Sequence, residues 1–309
     1  MKFGLGLEKA GNQPDTMKRA FELGVDFFDT APTYGYALNE RMFGEAWKNA
    51  GVKRDKIFIS TKTHYRNPEA ALELLDKSLM WLQTDHVDLW SLHDLVADYD
   101  MVVTRAFDAA KKSGKAKYIG ITCNRDPLLL KEMLKKYPFD YVMLPLNVAD
   151  KHKASFIENV LPNVGKAKII AMQIFMRGMS LYQVQPIVRS ILKADSNVCP
   201  QDGSQMNLIW TKATPTSAKW VCKQCGYAGP EDPEGQILLK YCVDYTASFK
   251  PDVMLMGCNG VNQLEQDWAL FNTISKMPAA ERKKIENLTA PYKEQLNFYK
   301  AEFKKKGLT

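Results

Sequence analysis

Along the chain, short apolar runs alternate with segments whose apolar residues recur at helical spacing. Lys2–Leu7 predicts a first strand. Asp15–Leu23 predicts a helix closed by Gly24, a residue suited to the left-handed position after a helix end. Further strands are predicted at Val25–Asp29, Ile57–Lys62, Val87–His93, Tyr118–Thr122, Tyr141–Leu146, Ile169–Ile174 and Val253–Gly257. The intervening helices are predicted at Asn39–Lys48, Pro68–Leu82, Asp100–Lys112, Pro127–Lys136, Ser155–Asn163, Gly235–Ser248 and Val261–Thr273. Asn67 followed by Pro68 supplies a capping side chain and a first-turn proline for one of them.

Eight strands, each followed by a helix, predict a parallel sheet and an α/β fold. Eight such units over about 250 residues predict a closed (β/α)8 TIM barrel. The rival, an open doubly wound sheet, often carries a Gly-rich phosphate turn after its first strand. Here that turn reads Leu7-Glu8-Lys9-Ala10-Gly11, which is no such fingerprint. The reading is one barrel domain over residues 1–309 with two additions. A long insert at about 175–233 separates strand seven from its helix, with a short helix expected at Pro186–Lys193. A helical tail at about 278–309, with helices at Ala279–Leu288 and Pro291–Lys305, is expected on the outside or bottom of the barrel.

Composition changes this picture little. Hydrophobic residues make up 46% and charged residues 25% of the 309, which is ordinary globular usage. The formal charge of +7 gathers in runs such as Lys304-Lys305-Lys306, which read as solvated faces. A basic stripe with aromatic readers is not seen, so no nucleic-acid partner is expected. No apolar run approaches the roughly 18 residues of a membrane span. The apolar start is too short for a leader, and six cysteines make no disulfide framework. A reducing, cytoplasmic setting is the expectation, and oligomeric state is not legible.

Barrel enzymes carry their chemistry at the C-terminal ends of the strands and in the loops that follow. Strand two ends in Asp29, with Tyr34 five residues on; strand three ends in Lys62; strand four ends in His93. A lone ionisable residue at a strand end ordinarily faces solvent, and a lone His is ordinarily structural. Four such residues whose roles fit one reaction carry more weight. That reaction is carbonyl reduction: Tyr34 donates the proton, Lys62 lowers the phenol's pKa, Asp29 holds Lys62 charged, and His93 orients the carbonyl. The hydride must come from a cofactor.

These residues lie in Phe28-Asp29-Thr30-Ala31-Pro32-Thr33-Tyr34-Gly35, Ser60-Thr61-Lys62 and Asp88-Leu89-Trp90-Ser91-Leu92-His93. With Ala110–Lys115 leading into Tyr118–Thr122, and with Phe139-Asp140, they resemble the aldo-keto reductase superfamily over roughly Phe3 to Phe271. The resemblance implies a barrel, an NAD(P)H cofactor over the strand ends, and reduction of a small aldehyde or ketone. It also implies cofactor contacts. Thr122, Cys123 and Asn124 stand where the family's carboxamide-binding Ser-Asn pair lies. Met143 replaces a Gln on strand six, and Met172, after Ala171, replaces a stacking aromatic on strand seven. Gln173 and Arg177 lie within reach of a phosphate. After strand eight the run Gly257 to Asp267, with Asn259 and Gln263 as polar contacts, holds no cation to pair with a 2′-phosphate. The family favours NADPH over NADH, although this run does not. These departures leave a second reading open, a catalytically weak nucleotide-binding or regulatory subunit with the same barrel.

The insert adds Cys222-Lys223-Gln224-Cys225-Gly226, which resembles a zinc-knuckle or rubredoxin-type turn. A structural zinc site needs four ligands. Only Cys199 lies nearby in sequence, so plain surface cysteines, a redox pair and zinc at Cys222 and Cys225 all stay open. No metal is assigned to the catalytic corner. Substrate-wall candidates are Trp90, Trp210, Trp220 and Tyr65.

Overall fold

A computed structural model describes residues 1–97, 102–152, 154–175, 199–204, 206–210, 218–231 and 234–290. Arg177 and the helices expected at Pro186–Lys193 and Pro291–Lys305 lie outside them. Seven strands come first: β1 Lys2–Gly6, β2 Phe27–Asp29, β3 Phe58–Thr63, β4 Val87–Leu92, β5 Ala116–Thr122, β6 Tyr141–Pro145 and β7 Lys168–Met172. Three short strands follow in the insert, and β11 spans Val253–Gly257. Strands β1 to β7 and β11 close into a barrel in the order β1-β11-β7-β6-β5-β4-β3-β2. Every barrel pairing is parallel, as predicted.

Side chains alternate across each strand, so the barrel sorts them by parity. One set fills the barrel interior: Phe27, Leu89, Tyr141, Met143, Ile170 and Val253, with Phe58, Met172 and Leu255 against them. The other set, including Phe28, Ile59, Trp90, Ile121, Val142 and Met254, packs outward against the helices. Counting on by twos from Phe27, Phe58 and Leu89 reaches Asp29, Lys62 and His93. The inner face of three neighbouring strands therefore delivers all three to the same end. Trp90 belongs to the outer set, edge-on to Phe107.

The helices lie close to their predicted bounds, among them Pro14–Glu22, Leu38–Asn49, Pro68–Trp81, Pro127–Lys136, Glu234–Ala247 and Val261–Asn272. Asn67 caps Pro68–Trp81 through Ala70 N–H, as its sequence implied. The helix expected over Ser155–Asn163 breaks into an α turn, Phe156–Asn159, and a 3-10 turn at Leu161–Asn163, where Pro162 cannot continue an α-helix. The tail helix Ala279–Thr289 packs on the outside of the barrel. Thr289 donates to Val148 O at 2.8 Å, and Glu286 takes Lys151 at 2.8 Å.

The insert differs from expectation. Strands β8 Met206–Trp210, β9 Ala218–Cys222 and β10 Ala228–Glu231 form a separate antiparallel sheet in the order β10-β9-β8. Strands this short give little periodicity, and their turns carry the information instead.

Candidate active site

Asp29 and Lys62 form an ion pair at 2.6 Å, with side chains only 3% and 2% exposed. Removing two charges from water is costly unless their remaining hydrogen-bonding capacity is met. Here it is largely met. Lys62 Nζ also donates to Thr30 O at 2.8 Å, and Ser60 Oγ donates to the second Asp29 oxygen at 2.8 Å. The ammonium lies 5.1 Å from the centre of the Tyr34 ring. The His93 ring stands edge-on to Tyr34, with centroids 5.7 Å apart at 85°. Thr33 Oγ1 lies 3.4 Å from His93 Nδ1. The four residues singled out from the sequence thus form one corner, with Asp29 and Lys62 buried and Tyr34 and His93 half-buried.

Its electrostatics differ from the expectation in one respect. Burial raises the Tyr34 pKa and outweighs Lys62, which lowers it by charge and hydrogen bonding. The phenol therefore stays protonated above its ordinary range. Lys62 loses by burial but regains more from Asp29 and Tyr34, and its pKa ends raised. His93 is driven down to about 3, first by burial and then by Lys62, His64 and Arg66. It is a neutral imidazole at physiological pH.

A backbone feature holds the Tyr34 loop. Gly35, Tyr36 and Ala37 occupy the left-handed region in succession, with φ of 57°, 53° and 67°. Such a run is costly for non-glycine residues and persists only where its surroundings enforce it. Tyr34 N–H to Ala31 O at 3.0 Å and Ala37 N–H to Pro32 O at 2.8 Å close the turn. A cleft of about 400 Å³ opens beside it, lined by Glu8, Lys9, Asn12, Gln13, Thr33, Tyr34, Gly35, Asn39 and Asn259.

The residues implied as cofactor contacts divide. Thr122, Met143, Met172 and Gly257 share the inner parity of the barrel. Thr122 Oγ1 accepts from Asp94 N–H at 2.7 Å and keeps its own proton to donate. Gly257 ends β11, where an added Cβ would meet only Gly6 O, at 4.0 Å, leaving room for a close approach. Gln173 Oε1 is buried with no hydrogen-bond partner, at the end of β7, which suits a site that an amide-bearing ligand completes. Asn259 faces the cleft, its N–H held by Gln263 Oε1 at 2.7 Å.

Others do not converge. Cys123 lies on the outer parity, fully buried among helix-facing residues, with its thiol directed at Asp126 O and Leu95 O. Asp267 sits in the Val261–Asn272 helix, and burial pushes its pKa up to about 8. It is a protonated packing group rather than an exposed polar contact. Asn124 follows β5 at half-buried depth.

Sequence reading overlooked three residues. Lys9 lines the cleft, and only its place after β1 marked it. Arg66 ties the loops after β3 and β4 together through His64 O at 2.9 Å and Asp94 O at 2.8 Å. Glu40 lies buried behind β3, taking Thr61 Oγ1 at 2.6 Å and Ser78 Oγ at 3.2 Å.

A closed eight-stranded barrel with this corner at its strand ends defines the class. The aldo/keto reductase family profile matches residues 6–287, and the chain belongs to that family. L-galactose dehydrogenase of Arabidopsis thaliana is 37% identical over 117 residues, covering 35% of this chain and 37% of that protein. Methylglyoxal reductase DkgA of Escherichia coli is 37% identical over 131 residues, covering 40% and 45%. The chain thus matches under half the length of these two relatives. The aldo-keto reductase of Klebsiella pneumoniae solved with NADPH superposes with a TM-score of 0.65 at 16% identity, over 93% of this chain and 90% of that one. Among the described residues no helix is long and apolar enough to cross a membrane.

Proposed function

We propose that the protein is an NAD(P)H-dependent reductase of a small aldehyde or ketone, with Tyr34 as its proton donor. The observation that carries the proposal is the buried Lys62 ammonium, fixed by Asp29 and Thr30 O and facing the Tyr34 phenol. A bound reduced nicotinamide supplies the hydride. Tyr34 holds the proton for the carbonyl oxygen, and Lys62 stabilises the phenolate left behind. Asp29 keeps Lys62 charged in a site where burial opposes charge. In the tautomer that accepts from Thr33 Oγ1 at Nδ1, 3.4 Å away, His93 would carry its proton on Nε2 and offer it to the same oxygen. Gln173 and Thr122 would hold the carboxamide, and Asn259, Lys9 and the open backbone at Gly257 would face the rest of the cofactor.

The relatives support this direction. One is named for reducing methylglyoxal and another for dehydrogenating L-galactose, and the Klebsiella enzyme was solved with NADPH. The second reading, a nucleotide-binding subunit with little turnover, draws on Met143, which fills the barrel interior where the family has an amide. The test is NADPH-dependent reduction of a panel of small aldehydes, followed by absorbance, beside NADPH binding followed by quenching of protein fluorescence. Turnover that disappears in Tyr34→Phe while binding persists is the expected result. Binding without turnover in the wild type favours the second reading, and binding of neither NADPH nor NADH overturns both.

A further inference from the structure

The insert carries a second cluster of chemistry-bearing side chains. Two of its turns share one design. Cys199-Pro200-Gln201-Asp202-Gly203 leads toward β8, and Cys222-Lys223-Gln224-Cys225-Gly226 joins β9 to β10. In each turn the fifth residue is a glycine in the left-handed region, Gly203 at φ 71° and Gly226 at φ 76°. In each, its N–H returns to the first cysteine's carbonyl, at 2.9 Å from Gly203 and 3.0 Å from Gly226. Each first cysteine also donates its own N–H across the turn, Cys199 to Ser204 O and Cys222 to Tyr227 O, both at 2.8 Å.

The sulfurs are prepared in the same way. Gln201 N–H points at Cys199 Sγ at 3.5 Å, and Gln224 and Cys225 N–H point at Cys222 Sγ at 3.3 and 3.4 Å. Backbone donors aimed at a cysteine sulfur favour the thiolate, the form that binds a metal. The two turns face each other. One ligand atom from each of Cys199, Asp202, Cys222 and Cys225 lies within 4.8 Å of all the others. Cys199 and Cys225 sulfurs are 3.5 Å apart, and Asp202 Oδ2 is 3.3 Å from Cys222 Sγ. Bonds of about 2.3 Å to sulfur and about 2.0 Å to oxygen place neighbouring ligands of a tetrahedral ion roughly 3.5–3.8 Å apart. All six cysteines are free thiols.

We propose that Cys199, Asp202, Cys222 and Cys225 bind one zinc ion, which staples the insert sheet. The sheet gives the physical reason. Among the described residues its buried apolar cluster is Cys199, Met206 and Cys222, with Tyr227 against it. Units below about 40 residues usually need a disulfide, a metal or a partner to hold them. The donor set selects the ion. Three thiolates suit zinc or iron, whereas a carboxylate as fourth ligand fits zinc's tolerance of mixed sulfur and oxygen ligands. Binding forms three metal–sulfur bonds and one metal–oxygen bond, and releases the thiol protons without any change of oxidation state.

The test uses the untagged full chain purified without chelator. Elemental analysis is expected to find about one zinc per chain. Replacement by Co(II) is expected to give thiolate-to-cobalt charge transfer and the intense visible bands of a tetrahedral site. Zinc is lost from the C222S/C225S double variant, and Asp202→Ala weakens zinc affinity by at least about tenfold in chelator competition. If the double variant does not fold, Asp202→Cys decides: it keeps one metal, and its cobalt spectrum gains thiolate charge transfer. Full chain that holds no zinc and gives no cobalt spectrum overturns the proposal. So does iron in place of zinc, a disulfide within the cluster, zinc retained by the double variant, or an Asp202→Cys spectrum identical to wild type.

Discussion

At the scale of single residues, the corner around Tyr34 is a balance between burial and charge. Lys62 has almost no exposure, yet it is held charged because Asp29, Thr30 O and the phenol together offset the loss of water. Tyr34 emerges with a raised pKa, so the acid form is present throughout the neutral range. Carbonyl reduction is therefore expected to be flat in pH from about 6 to 9, and alcohol oxidation, which needs the phenolate, to climb with pH across that range. Pre-steady-state rates in both directions check this. Tyr34→Phe removes the proposed donor alone and is expected to lower kcat by about 10²- to 10⁴-fold, with little change in the Kd for NADPH. These four residues were legible in the sequence because each closes, or closely follows, an apolar strand. The direction of the Tyr34 shift was not, because it depends on how far the loop is buried.

At the scale of elements, two buried groups set opposite pH dependences. Burial raises Glu40, behind β3, from 4.5 to about 7, so folding holds its proton. Its contribution to stability is fully present below pH 4.5 and is lost as pH rises through 7. His93 falls from 6.5 to about 3, so its contribution is present above 6.5 and is lost as pH falls toward 3. Between 4.5 and 6.5 the two oppose each other at about 1.4 kcal/mol per pH unit each. Asp267, raised from 3.8 to about 8, adds a second falling slope there, so the wild type is expected to lose stability with rising pH across that window. Glu40→Gln, which keeps only the opposed His93 and Asp267 slopes, is expected to be nearly flat in urea unfolding. A second test concerns helix packing. A Cβ on Gly44, in Leu38–Asn49, would meet Trp81 O at 2.3 Å and two Leu82 backbone atoms near 3 Å, at the end of Pro68–Trp81. Backbone cannot yield as a side chain does. Gly44→Ala is therefore expected to cost about 1–3 kcal/mol despite alanine's better helix propensity, read as a lower Tm with retained helicity. Neither effect was legible in the sequence, since Gly44 and Glu40 look like ordinary helix residues until the neighbouring helix is placed.

At the scale of the whole molecule, eight strand ends converge on one mouth, where the proposed cofactor would lie. The run from Gly257 to Asp267 carries no cation, and Asp267 itself is buried as an acid. Lys9, from the short helix Leu7–Ala10 after β1, lines the cleft beside Asn259 in its place. NADPH and NADH are thus expected to bind within about tenfold of one another, because that run offers no arginine to a 2′-phosphate. Lys9→Ala is expected to weaken both several-fold in a fluorescence titration. A preference for NADPH of more than a hundredfold would show that some other cation reads the phosphate.

The sequence by itself determined the order of the barrel strands and helices, the barrel, and the four residues that meet at its strand ends. The reason is physical: strand and helix periods, and charged residues closing apolar strands, are properties of neighbours along the chain. Tertiary structure alone decided which side of the barrel Cys123 faces, how far burial shifts Tyr34, His93 and Glu40, and that Asp202 meets three cysteines from the insert. Those outcomes depend on residues far apart in sequence sharing one volume and one dielectric, which no local pattern encodes.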